Sequence, residues 1–533
     1  MTREAPAALW VDRRRWLALA GAAASGLWLA PGARAQARLS TDPFALGVAS
    51  GSPRHDSVVL WTRLVKDSAE GTAAWGAQPV AVRWEMAHDA QFQRMVQTGT
   101  AMAAPGLAHA VHVEVQGLEP DRWYFYRFQV GGAVSAVGRT RTFPLPGAAA
   151  ARLRLAYASC QHWEHGYYSA YRHMRDENPD AVMFLGDYIY EYGGSNKGVR
   201  RAPTQATLSL DDYRARYAFY KADADLQAMH AACPWLMTWD DHEVQNDYAG
   251  LTQGTFGPEV ADFGARRAAA YQAYYEHMPL RAAVLQRALA GVMQPGSELR
   301  LYDRVAFGRL AVLHTLDDRQ YRDRQACTKN GAFGSSSVNP AACPAWSDPA
   351  RSLLGAEQER WLGRSLAAGG VTWTLIGQQT VFGQRDFRPG EGQALPNDGW
   401  DGYAPARTRL TQALQQHQAS NPVFLGGDVH SNWVGHVKAD YARPDSRSVG
   451  VEFCGTSITS RGGDNKGIAD VLAENPHFVF VDRERRGYGM AEFTPQRLTV
   501  ALRVVDDVTR VDSGISTLAA FAVEAGQSRI LPA

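Results

Sequence analysis

The stretch Phe184-Leu185-Gly186-Asp187-Tyr188-Ile189-Tyr190 closes an apolar run that begins at Ala181. A short apolar run bounded by a turn residue reads as a buried strand. Gly186 allows a sharp turn where the chain leaves that strand. Asp187 then stands at the open carboxyl end of a sheet, the edge at which α/β folds hold ligands. Tyr190 follows three residues later. An aspartate shared between two cations, with a tyrosine phenolate beside it, can hold a trivalent metal. The plainer alternative is a strand-end turn with an exposed Asp and a packed Tyr.

Three more apolar runs end in polar clusters: Ala158-Ser159-Cys160-Gln161, Trp239-Asp240-Asp241-His242-Glu243-Val244-Gln245-Asn246 and Gly426-Gly427-Asp428-Val429-His430. In a layered fold all four strand ends can meet at one edge. Thiolate and phenolate are anionic donors that stabilise Fe(III), whereas carboxylates and amide carbonyls are hard ligands suited to Ca, Mg or Mn. The two halves together suggest a mixed metal site with Asp187 between the cations. Such a centre suits phosphoester hydrolysis, because cations acidify water and hold phosphoryl oxygens in line for displacement. No G-x-S-x-G elbow with the right context and no P-loop competes with this reading.

The surroundings of these motifs set the fold class. Residues 38–147 alternate or run apolar in short segments, such as Val58-Val59-Leu60-Trp61-Thr62 and Trp123-Tyr124-Phe125-Tyr126-Arg127-Phe128, with Gly, Pro and Asp turns between them. That pattern predicts a fibronectin-like β-sandwich of about seven strands. A Pro/Ala-rich linker at 144–151 follows. From residue 152 to 513 apolar strands alternate with helical periodicity, which predicts a layered α/β domain of mixed sheets flanked by helices. Residues 514–533 are expected to form a closing helix or a tail.

Composition narrows the class further. The chain has 533 residues, 45% apolar and 20% charged, with a net charge of +1, so no basic surface advertises nucleic acid. Arg13-Arg14-Arg15-Trp16-Leu17, an apolar run to Ala30 and Ala33-Arg34-Ala35 resemble a twin-arginine export signal over 1–35. Its apolar stretch is too short and too rich in Gly and Ala to span a membrane, and the mature chain contains no transmembrane segment. Five Cys is an odd number. Cys327 and Cys343 flank a Gly/Ser/Asn-rich loop and can pair after export. Cys233 and Cys454 border apolar strands and read as buried small hydrophobes.

The order Cys160, Gly-Asp-x-x-Tyr, Asp-Asp-His-Glu and Gly-Gly-Asp-x-His resembles the alkaline phosphatase D (PhoD-like) family of metallophosphoesterases. Gly47-Val48-Ala49-Ser50-Gly51-Ser52-Pro53 and Leu60-Trp61-Thr62-Arg63-Leu64 are similar to that family's N-terminal domain. The resemblance implies an exported phosphoesterase acting on phosphomonoesters and phosphodiesters at alkaline pH, periplasmic or secreted. Its partners would be a small or polymeric phosphate ester and the twin-arginine machinery. It also implies Fe(III) held by Cys160, Asp187 and Tyr190, with Asp187 reaching Ca2+ bound by Asp241, Asn246 and Asp428. His430 would ligate or orient near the iron, and His242 would contact the phosphate or leaving group. Asp240 has the alternative of orienting a loop, and Asn246 of closing a turn. Arg319 is either a bidentate phosphate clamp or a surface arginine. Two rival functions are a narrower phosphodiesterase or phospholipase-like enzyme and a catalytically dead phosphate- or metal-binding scaffold.

The export expectation has a direct test. The receptor of this route reads paired guanidinium groups, whose planar donor forks an ammonium does not reproduce. Changing Arg13→Lys and Arg14→Lys together should leave active precursor inside the cell, measured by fractionation and phosphatase assay. Normal appearance of the Lys-Lys variant outside the cytoplasm would favour the general secretory route.

Overall fold

Ala181–Phe184 is a fully buried strand that runs parallel to Leu153–Ala158 on one side and Trp235–Met237 on the other. These three strands form the centre of a sheet in the computed structural model, which describes residues 42–65, 75–195, 197–285, 298–443 and 445–533. The expected export signal at 1–35 lies outside the described residues. The sheet has ten strands in the order Leu531–Pro532, Ile515–Glu524, Arg497–Val505, Gly487–Phe493, Leu153–Ala158, Ala181–Phe184, Trp235–Met237, Val48–Gly51, Val58–Arg63, Ala110–Val115. A second sheet has seven, in the order Asp303–Phe307, Ala311–Thr315, Trp373–Gly377, Pro422–Gly426, Ser448–Cys454, Asn432–Lys438, Phe478–Asp482.

Side-chain alternation explains how the two sheets face each other. Leu153, Leu155 and Tyr157 point to one core together with Leu313, Leu375, Val423 and Leu425 of the second sheet. Ala156 and Ala158, on the other face of the same strand, pack against the helices Ser169–Asp176, Leu210–Lys221, Ala224–Ala232 and Phe263–His277. Helices Gly355–Ala367 and Ala404–Gln416 cover the outside of the second sheet through Leu362, Leu366, Leu410 and Leu414. The result is four layers, helix on sheet on sheet on helix, each strand reading with period two.

The N-terminal β-sandwich has a feature the sequence did not reveal. One of its sheets is separate, built from Met95–Ala103, Val80–Ala87, Trp123–Val130 and Ala133–Val134, with Gly138–Arg141 on Trp123–Val130. Its other three strands continue the ten-stranded sheet, because Gly51 pairs with Trp235. The seam is reinforced by Trp61 Nε1, which donates to the Glu276 carbonyl at 3.0 Å.

The expected helix or tail at 514–533 is a β-hairpin edge instead. Ile515–Glu524 pairs antiparallel with Arg497–Val505, and Leu531–Pro532 pairs with Ile515–Glu524. The Ala-rich run Leu518-Ala519-Ala520-Phe521-Ala522-Val523 is compatible with either structure by composition. The open edge of Arg497–Val505 decides for strand, since its backbone groups need partners. Phe521, Val523 and Ile530 complete the core between the sheets.

Removal of 514–533 should therefore expose both that apolar surface and a long sheet edge. Burial of each of these side chains contributes about 2 kcal/mol. A chain ending at residue 513 should be insoluble or lose its cooperative melt. A soluble truncation with full-length Tm and faster turnover would instead support a closing lid.

Candidate metal centre

The parallel strands Leu153–Ala158, Ala181–Phe184 and Trp235–Met237 of the first sheet and Ala311–Thr315, Trp373–Gly377, Pro422–Gly426 and Ser448–Cys454 of the second bring their carboxyl ends to one edge, and each leaves polar residues there. The order round the edge is Ser159 and Cys160, Asp187, Asp240 to Glu243, then Asp317 to Arg319, Gln378 and Gln379, Asp428 and His430, and Ser457 to Ser460. The four clusters expected from sequence meet here, joined by three more. Cys160, Asp187, Asp428 and His430 all adopt positive φ, between 52° and 65°. Left-handed backbone at non-glycine residues is uncommon and costs of order 1–3 kcal/mol each. It turns each side chain back over the strand ends.

Asp187, Tyr190, His430 and Cys160 form one end of the site. Tyr190 OH donates to Asp187 Oδ2 at 2.9 Å and lies 3.1 Å from His430 Nε2. Ser460 Oγ, 2.6 Å from the Tyr190 hydroxyl, also donates to the Cys160 carbonyl. One ligand atom each from Cys160, Asp187 and His430 lie within 4.8 Å of one another. Burial and the adjacent Asp187 charge push the Cys160 thiol up, and burial does the same to the Tyr190 hydroxyl. Both would need a bound cation to ionise at neutral pH.

The other end is a knot of carboxylates. Asp240, Asp241 and Asp428 form a second close group, Asp187, Asp241 and His242 a third, and Asp241, Asp247 and Asp398 a fourth. Asp241 is pushed up to about 8 by burial and by the neighbouring Asp187 and Asp428, against Arg319. Asp187 Oδ1, Asp240 Oδ2, Asp241 Oδ1 and both oxygens of Asp318 are buried without a hydrogen-bond partner. Buried carboxylate oxygens in a native fold are normally paired or bound to metal. This donor set therefore fits cations, with hard oxygens on one side and thiol, phenol and imidazole on the other. Asn246 Nδ2 donates to Thr255 Oγ1 at 2.8 Å, which leaves its carbonyl oxygen as the end available to a cation.

For Arg319 the structure removes one of the two expected readings, the surface arginine. The side chain of Arg319 is 1% accessible and sits among the acids. Its guanidinium donates to Asp240 and Asp398 and lies 3.8 Å from Asp241 and 3.5 Å from Asp428. Nη2 has no hydrogen-bond partner. Arg322 donates to Asp398 Oδ1 at 2.8 Å. Asp240, which sequence left between ligand and loop orienter, serves here as the Arg319 counter-ion.

Two glutamates not singled out from sequence hold the site together. Glu243 accepts from the backbone N–H groups of Asp187 at 3.1 Å, Tyr188 at 2.6 Å and Asp240 at 2.8 Å. It thereby ties two strand-end loops to one carboxylate. Glu191 Oε2 lies 2.7 Å from His242 Nδ1, and its Oε1 accepts from Asn246 N at 2.9 Å. Burial opposes a charge on His242, yet Asp187 and Glu191 outweigh it and hold the imidazole well above its usual range. Glu243 lay inside a quoted motif, but two of its three backbone partners, Asp187 and Tyr188, are 56 and 55 residues away in sequence. Asp247, Asp318 and Asp398 sit in irregular segments that carry no periodic signal. The disulfide Cys327–Cys343 is present, and its loop reaches the site through Ser335, whose N and Oγ donate to Asp247 Oδ2. Cys160, Cys233 and Cys454 are free and buried.

Known proteins resemble this chain over nearly its whole length. The profile described as PhoD-like phosphatase matches residues 155–502, and that of the PhoD-like phosphatase N-terminal domain matches residues 30–144. Alkaline phosphatase D of Bacillus subtilis (strain 168) is 42% identical over 533 residues, covering 97% of this chain and 88% of that protein. A solved structure titled "Structure of PhoD" superposes with a TM-score of 0.85 at 42% identity, covering 94% of this chain and 93% of that one.

Gly186 offers a local test of the site's construction. Its φ is +105°, and a Cβ there would lie 2.4 Å from both Cβ and N of Asp240. Gly186→Ala combines backbone strain with overpacking, a cost of roughly 3 kcal/mol or more. It should lower Tm and the metal content of purified protein together. Wild-type values of both would show that the two strand ends are not packed as described.

Proposed function

Because the chain belongs to the PhoD-like phosphatase family, and so is a hydrolase, we propose that it is an exported, metal-dependent phosphoesterase that cleaves phosphomonoesters and phosphodiesters. The observation that carries the reading is the set of buried, unpaired carboxylate oxygens beside Cys160, Tyr190 and His430 at one sheet edge. Cys160, Asp187 and Tyr190, with His430 near, would hold Fe(III). Asp187, Asp241, Asn246 and Asp428 would hold Ca2+. When bound, these cations would supply Lewis acidity, polarising phosphoryl oxygens and lowering the pKa of nearby water.

The protein's own groups do the rest. His242, whose protonated form Asp187 and Glu191 favour, would deliver a proton to the leaving-group oxygen, and its link to Glu191 fixes the ring orientation. Arg319, whose charge is balanced by Asp240 and Asp398, contributes Nη2 as a donor toward phosphoryl oxygens. Tyr190 and Ser460 hold Asp187 in place from the other side. The diesterase part of the reading draws on an aromatic wall beside His242. Tyr192 stands edge-on to it at 5.6 Å between ring centroids, and Phe256, 60% exposed, stands edge-on to Tyr192 at 5.6 Å. Such a wall suits an apolar second substituent or a planar leaving group.

Metal identity and function can be tested together. Protein purified without chelator should show a visible charge-transfer band that Tyr190→Phe weakens or shifts. A Ca2+-selective chelator should abolish hydrolysis of both p-nitrophenyl phosphate and its bis-ester, and added Ca2+ should restore it. A colourless, iron-free and fully active protein, or rescue by Zn2+ alone, would overturn the assignment. Turnover of the mono-ester alone would remove the diesterase half.

A further inference from the structure

A cavity of about 390 Å3 lies far from the metal centre, bounded by the strand Asn432–Lys438, the segment 474–477 and the C-terminal residues Ser528 and Arg529. Asn432–Lys438 begins two residues after His430 and runs away from the site. Seven strand residues place Lys438 roughly 20 Å from the metal edge. Lys438 and Arg529 both line the cavity, and among the described residues neither has an ion-pair partner. Lys438 is half-buried and Arg529 exposed. The two face one concavity, and they are close enough to affect the same imidazole: burial first, and then the Lys438 and Arg529 charges, pull His436 below its usual range.

The remaining walls add hydrogen-bond donors. His436 is engaged within the wall: its Nε2 accepts from Ile530 N at 3.3 Å, and the ring also bonds the His477 backbone. The Tyr441 hydroxyl is shielded from solvent, so Tyr441 contributes its ring to the wall and no donor to the cavity. Ser448 and Ser528 bring two hydroxyls. The one carboxylate of the lining, Glu474, is engaged elsewhere, accepting from Gly390 N at 2.8 Å. The rings of Tyr441 and His477, edge-on at 5.0 Å, form a wall beside the charged end.

We propose that this cavity is a second anion-binding site, separate from the metal centre, that takes the phosphate group of a small organic phosphate. Lys438 and Arg529 supply the charge for a dianion, and Ser448 and Ser528 supply hydroxyl donors to its oxygens. A carboxylate has too few acceptors to use so many donors. The volume exceeds what a bare ion fills and falls in the range of small-molecule sites, which leaves room for an organic body against Tyr441 and His477. The inference rests on this cavity and not on the chemistry of the metal site.

The test uses the full-length, metal-loaded protein and phenylphosphonate, which the enzyme cannot hydrolyse. Calorimetric titration should resolve two classes of site. Lys438→Gln combined with Arg529→Gln should weaken one class at least tenfold and leave kcat on p-nitrophenyl phosphate and Tm unchanged. Each single change lies at the cavity mouth and should give a smaller loss in the same class. Inorganic phosphate run in parallel should fill that class more weakly than phenylphosphonate. A single class in the wild type, or two classes that survive the double change, would overturn the site. Equal affinity for the bare ion would overturn the organic-body part of the proposal.

Discussion

Repulsion among buried carboxylates is the constraint to which the rest of this structure responds. Asp187, Asp240, Asp241 and Asp428 share one sheet edge with their ligand atoms a few ångströms apart. Two like charges 4 Å apart repel by about 4 kcal/mol at the effective dielectric of such a site. Several such pairs would rival the whole net stability of a typical fold, about 5–15 kcal/mol. Arg319 at the centre offsets part of this, and protonation, as the upward shift of Asp241 indicates, offsets more. Cations would offset the remainder, and the unpaired oxygens are where they would be held.

Holding that cluster requires a frame that does not yield. Parallel strands from two stacked sheets end near one edge, so the residues that leave them are crowded there. Glu243 binds three backbone N–H groups from two of those loops, and Gly186 is there because no larger residue fits against Asp240. The left-handed residues Cys160, Asp187, Asp428 and His430 are strained singly and stable together, since each is fixed by neighbours on both sides. The N-terminal sandwich and the C-terminal hairpin lengthen the first sheet at its two ends and close its core, which stiffens the strands that carry the site.

The molecule also separates its charges along one strand. Asn432–Lys438 links an acid-rich end, where His430 stands, to a cationic cavity at its far end. At a spacing of roughly twice the Debye length in physiological salt, the two ends act on solutes independently. An anion can therefore be held at the second site without competing electrostatically for the first.

Much of the site was legible in the chain because apolar runs stop abruptly at Cys160, Asp187, Asp240 and Asp428, and a strand end is a local event. Residue chemistry at those stops then points to hard and soft ligands. Ile515–Glu524 was not legible as a strand, since an Ala-rich run has no period of its own and takes the structure that the open edge of Arg497–Val505 offers. Asp398 and Asp247 were illegible for a related reason: acids in irregular segments acquire meaning only from what lies opposite. The sequence by itself thus determined which apolar runs end at the site, which residues cap them and what chemistry those residues can perform, because these depend on neighbours within a few positions. Tertiary structure alone decided that Arg319 is buried among acids, that Glu243 joins loops 55 residues apart and that Lys438 and Arg529 share a cavity. Those outcomes depend on which distant backbones must satisfy one another's hydrogen bonds and charges once the two sheets stack.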